Sequence, residues 1–197
     1  MKRLIRASKS APLYHGTTWM NAIEIIESNE LRANVSNETE TNGVSFTRNS
    51  REAYDQVVFV IDQELLSHNY KISPVYREGI AGLDLAEERV PRTIKNIRKY
   101  IIELRWNNPI WFKTLRRQLT REFDNPDLLS QPSKGSDFNL AYEVNKLIET
   151  AHKYNIKIDK TFQEAEYWID QWKQHIPDIE TENWIEQRKF RKSKTFS

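Results

Sequence analysis

The 197-residue chain contains no cysteine. That excludes disulfides, thiolate metal sites and cysteine nucleophiles, and it makes a reducing cytosol the expected compartment. No stretch approaches the 18 apolar residues that a membrane-spanning helix needs, and Met1 to Ala7 is basic without the apolar run of a signal peptide. The expectation is therefore a protein neither secreted by that route nor inserted in a membrane. Excess charge is missing as well: 30 Lys and Arg stand against 28 Asp and Glu, a formal net charge of +2. Affinity for nucleic acid must then come from local clustering of cations and not from a general field. With five glycines, the chain has no glycine-rich phosphate loop, and it has no serine-hydrolase elbow. His68, His152 and His175 lack metal-ligand spacing, so no metal site is expected.

What the chain does have is bulky anchors, 6 Trp, 8 Tyr and 8 Phe, in a length sufficient to bury its own core. Leu13 to Thr17 reads as a short strand that delivers His15 and Gly16. It is followed by an amphipathic helix capped by Thr17 or Thr18, with Trp19, Ala22, Ile23 and Ile26 on its apolar face. Polar residues 32–42 form a loop that Gly43 closes. Val44 to Thr47 then alternates, so Val44 and Phe46 share the core face while Ser45 and Thr47 share the other. Val57 to Ile61 is a continuous apolar run, the pattern of a strand covered on both faces. A short helix from about Arg92 to Ile97 leads into a strand through Trp106.

From Asn108 the period changes to that of helices. Asn108 caps the first, with Pro109 in its opening turn, and Phe112, Leu115, Leu119 and Phe123 form its apolar stripe. A second carries Phe138, Ala141, Val144, Ile148 and Ala151. Residues 155–159 read as a linker or short strand, and Thr161 to Glu164 fits a capping box that opens a third helix bearing Phe162, Ala165, Ile169 and Trp172. The expected class is α+β, with a strand-rich core over residues 1–106 and a helical part over 107–197 packed on it.

Three segments bear chemistry in order: Tyr14-His15-Gly16-Thr17, Gly43-Val44-Ser45-Phe46-Thr47-Arg48 and Ala86-Glu87-Glu88-Arg89-Val90. In that order they resemble the ADP-ribosyltransferase superfamily, and the last also resembles the glutamate region of its DNA-targeting toxin branch. The resemblance covers about the first half of the chain. It implies a split β-sheet core and NAD as the substrate that donates ADP-ribose. Breaking the bond between nicotinamide and ribose passes through an oxocarbenium-like state, which a nearby carboxylate stabilises. By resemblance that carboxylate is Glu88, with Glu87 the alternate; neighbours on a strand point to opposite faces, so one of the two can enter the site.

His15 would bond a ribose hydroxyl and the Gly16 backbone the nicotinamide carboxamide, with Thr17 beside them. Ser45 would brace the site, Arg48 hold a pyrophosphate, and Tyr54 pack on the nicotinamide ring. Two departures from the family's pattern are present. Ala86 stands two residues before Glu88, where the arginine-modifying class has Glu or Gln, which argues against modification of protein arginine, and no tyrosine lies within Val44 to Arg48, where the histidine class has one. The acceptor is a nucleic acid or a protein, and a small Asn- and Lys-rich chain of this kind suits a phage or bacterial effector. The alternative is a non-catalytic binding or inhibitor protein of the same fold. It would engage nucleic acid or a host protein through Lys113, Arg116, Arg117 and Arg121, the basic tail Arg188 to Lys194, and Trp106, Trp111 and Trp184 as stacking surfaces.

Overall fold

The computed structural model describes residues 11–34, 42–50, 53, 55–77, 85–124 and 138–175, with 75–77, 85–86, 121–124, 138–139 and 175 described by backbone alone. Tyr54, the basic tail and Trp184 lie outside the described residues, as does the side chain of Arg121. The chain is α+β. Strands β1 (Leu13–Thr17), β3 (Val44–Thr47), β4 (Val57–Ile61), β5 (Ser73–Arg77), β6 (Leu85–Val90) and β8 (Ile101–Trp106) form one antiparallel sheet in the order β5-β6-β3-β1-β4-β8. The short strands β2 (Glu30–Leu31) and β7 (Ile94–Lys95) pair separately.

Each expected face is realised by register. Leu13, His15 and Thr17 lie opposite Ile61, Phe59 and Val57, and β8 continues the same face with Leu104 and Trp106. Helix α1 (Trp19–Ser28) buries Trp19, Ala22, Ile23 and Ile26 against it. Thr18 caps the helix by accepting from the Asn21 amide, and Asn29 ends it in the left-handed region at φ 57°. Beyond α2 (Gln63–Ser67), three longer helices complete the layer: α3 (Pro109–Asp124), α4 (Phe138–Lys153) and α5 (Lys160–His175). Helix α4 packs on α1, and α5 packs on α3, α4 and β8. One hydrophobic cluster therefore runs from Leu13 to Ile169. Each fully buried Leu, Ile or Phe in it contributes about 1.5–3 kcal/mol.

Gly43 sits at φ +124°, and a Cβ there would lie 2.5 Å from the Val90 carbonyl oxygen, so β3 can approach β6 at this point only with glycine. Three local expectations differ from the structure. Residues 92–97 do not form a helix: β7 is followed by a single 3-10 turn, Ile97–Tyr100, because pairing with β2 claims Ile94 and Lys95. The cap of α5 is Asp159 and not Thr161. One Asp159 oxygen accepts from the Phe162 amide at 3.0 Å and the other from the Trp106 amide at 3.0 Å, so the carboxylate joins the helix start to the end of β8. Trp106, expected as a stacking surface, is 7% exposed. Its place opposite Val57 turns the ring inward against Trp19, Phe112 and Phe162.

Candidate functional site

The three motif-bearing strands β6, β3 and β1 are neighbours in the sheet. β1 pairs with β4 along all five residues, but with β3 it shares a single register pair, Tyr14 with Thr47. One residue further on, a side chain spans the seam: His15 Nδ1 lies 2.9 Å from the Ser45 carbonyl oxygen. A carbonyl can only accept, so Nδ1 carries the proton and donates. Burial lowers the His15 pKa below its ordinary 6.5, and the bond to Ser45 and the charge of Asp55 offset this in part. The imidazole is then neutral at pH 7, with Nε2 an acceptor. Its ring is flanked by Phe46 at 5.8 Å and Phe59 at 6.4 Å between centroids.

Alternation separates the two glutamates. Glu88 lies opposite Phe46 on the helix-covered face, which is also the face of His15. The buried Phe46 stands on the strand between them, and two strand spacings put their Cα atoms roughly 10 Å apart. Arg48 Nε donates to Glu88 at 2.7 Å and Arg48 Nη1 to the Gln63 side chain at 2.9 Å, so both charged groups are engaged at the start of α2. Glu87 points to the other face with Ser45 and Arg89. The Ser45 hydroxyl donates to Glu87 Oε2 at 3.4 Å, and Arg89 Nη2 reaches the same oxygen at 2.8 Å and the Ser45 hydroxyl at 3.4 Å. Glu87's side chain is 25% exposed against 12% for Glu88, which makes Glu87 the more accessible carboxylate.

The structure thus brings together His15 and Ser45, Ser45 and Glu87, and Arg48 and Glu88. Thr17 is buried opposite Val57. Lys113, Arg116 and Arg117 are exposed on α3, remote in sequence and register from the seam, and the Arg116 guanidinium lies 5.0 Å from the Trp168 ring centroid. Sequence reading missed Arg89 and Gln63. Arg89 was open to inference, since it stands two residues from Glu87 and shares its face; Gln63 joins only through the path of the chain after β4. Also missed was an open cavity of about 750 Å³ where β1, β4 and β8 meet the start of α3, edged by Gln56, Asn107 and Trp111.

Further along the Glu87 face, Glu103 on β8 is bound to Arg105 and lies 3.3 Å from Lys157. Burial raises the Glu103 pKa, but hydrogen bonds and charge from Arg105 and Lys157 outweigh it and hold the carboxyl below its ordinary value. Arg105 in turn lies over the Tyr14 ring. Among the described residues, no group of His, Asp and Glu is arranged to hold a metal ion, and no helix is long and apolar enough to cross a membrane. A scan against family models finds no match to this chain, and neither a search of curated proteins nor one of solved structures finds one.

Proposed function

We propose that the chain transfers ADP-ribose from NAD to a macromolecular acceptor at the seam between β1 and β3. The observation that carries the reading is the His15 imidazole taking over from backbone pairing at this seam on the face that it shares with Glu88. A sheet split at this seam is the architecture that the resemblance to ADP-ribosyltransferases calls for. The donor and acceptor set suits the substrate: neutral His15 offers Nε2 to a ribose hydroxyl, Gly16 offers backbone without a side chain in the way, and Arg48 fixes the direction of the Glu88 carboxylate.

In the reaction, the bond between the nicotinamide nitrogen and ribose C1′ breaks and the electron pair leaves with neutral nicotinamide. The acceptor heteroatom bonds to C1′ and gives up its proton. Glu88 stabilises the positive charge that develops on the ribose between these events. Glu88 is assigned here in preference to Glu87 because it shares the face of His15, whereas Glu87 points to the other side of the sheet; each carboxylate is paired with an arginine.

Incubation of the purified protein with NAD and either cell extract or single-stranded DNA tests the proposal. Chromatography for free nicotinamide and mass spectrometry for an adduct heavier by one ADP-ribose are the readouts. Glu88→Gln is expected to lower nicotinamide release about 10²–10³-fold, the usual cost of losing one preorganised electrostatic group, while Glu87→Gln keeps most of it. Absence of both nicotinamide and adduct from the unmodified protein overturns the reading and leaves a binding protein without turnover.

A further inference from the structure

The bond between Arg48 and Glu88 is made by one atom on each side. Arg48 Nε donates to Glu88 Oε1 at 2.7 Å, and among the described residues Glu88 Oε2 takes no hydrogen bond and Arg48 Nη2 gives none. An arginine that meets a carboxylate along its Nε edge commonly engages both oxygens, because the N–H groups of Nε and Nη2 run parallel and match the spacing of the two acceptors. That second bond is forgone here, although the pair is sheltered, with the side chains 25% and 12% exposed. Instead the guanidinium donates from Nη1, its opposite corner, to Gln63 Oε1 at 2.9 Å.

Gln63 is placed independently of the arginine. It opens α2 directly after β4, and Asp62 before it is fixed from two sides: its amide donates to the Tyr100 carbonyl at 2.8 Å, and its Oδ1 accepts from the Leu65 amide at 2.9 Å. The acceptor that draws Nη1 therefore stands on backbone pinned to the turn before β8. A guanidinium is a rigid plate, so a bond at one corner sets the angle of the other two. The consequence falls on the carboxylate, of which Oε1 is held while Oε2 stays open. We propose that Gln63 is a positioning residue of the transferase site, which keeps the Arg48–Glu88 pair to a single bond so that Glu88 Oε2 is free to face the ribose. This inference rests on the transferase reading. Without the Gln63 acceptor, the guanidinium turns to the two-bond arrangement, and both oxygens of Glu88 are then held by arginine.

Steady-state release of nicotinamide from NAD, measured beside urea unfolding followed by tryptophan fluorescence, tests the full-length protein. Gln63→Met matches the length of the side chain without its acceptor oxygen. It is expected to lower kcat about tenfold and leave KM for NAD within about twofold of the parent, the pattern of an interaction made in the transition state alone. Its urea midpoint should stay level or rise, because the ion pair gains a bond as the rate falls. Gln63→Glu keeps an acceptor oxygen at the same reach and is expected to return kcat to within about threefold of the parent. A rate that falls together with the urea midpoint in Gln63→Met would make Gln63 a structural residue and overturns the inference, as does a Gln63→Glu variant as slow as Gln63→Met. Release from the parent that Gln63→Met leaves intact sinks this inference alone. A parent that releases no nicotinamide sinks the transferase reading and this inference with it.

Discussion

The two faces of the central sheet are built from alternate residues of the same strands, yet they hold different chemistry. Across β8, β4, β1, β3 and β6, the helix-covered face reads Leu104, Phe59, His15, Phe46, Glu88; the opposite face reads Glu103, Val60, Tyr14, Thr47, Glu87. On the first, polar groups are exceptions that need fixed partners: His15 has the Ser45 carbonyl and Glu88 has Arg48. On the second, charge is repeated, with Glu103 beside Arg105 and Glu87 beside Arg89. Adjacent glutamates thus belong to different environments, and a one-residue step along β6 separates the carboxylate that shares the face of His15 from one paired with Arg89 on the opposite face.

Stability should separate the faces most strongly at their centres. Phe59→Ala removes a fully buried ring and is expected to cost about 3–5 kcal/mol in urea unfolding, whereas Thr47→Ala, half-exposed on the other face, should cost under about 1 kcal/mol. Similar losses at both positions would mean that the two faces carry equal shares of the fold. The glutamates sharpen the contrast at smaller scale. Glu88→Ala leaves Arg48 without its carboxylate in a half-buried setting, and a loss of about 1–2 kcal/mol is expected, between the exposed and buried limits for broken ion pairs. Truncating Glu87 should cost less stability, and a reversed order would undo the division of roles between the pair.

This contrast also marks what could be read in advance. Period-two alternation at Val44 to Thr47 and the apolar run Val57 to Ile61 were legible because side-chain direction in a strand is local. The same holds for a threonine cap at 17 or 18, which the structure resolves to Thr18, and for the apolar stripe of α1. Residues 92–100 were not, because Ile94, Ile97 and Ile101 are helix-spaced while Tyr100 to Trp106 alternates as a strand, and a distant partner, β2, decided the outcome. Asp159 displaced Thr161 as the cap because it also had the Trp106 amide to satisfy, a partner 53 residues away. Of the site, the opposed directions of Glu87 and Glu88 followed from alternation alone. The choice between them needed the register of β3 against β6, which no local pattern encodes.

The smallest effect tests the one titratable group that the apolar face contains at the seam. Burial outweighs the Ser45 bond and the Asp55 charge, so folded His15 takes up a proton at lower pH than the 6.5 of an exposed imidazole. As pH falls through 6.5, the unfolded chain binds that proton before the folded chain does, and stability falls with it. A single proton is involved, so the slope cannot exceed about 1.4 kcal/mol per pH unit. His15→Asn keeps an amide donor near the Nδ1 position without a titrating group, and its urea midpoint should change less than the parent's between pH 7.5 and 5.5. Should the parent lose no more stability than His15→Asn on acidification, folding does not lower the imidazole pKa, and burial is not what keeps Nε2 an acceptor.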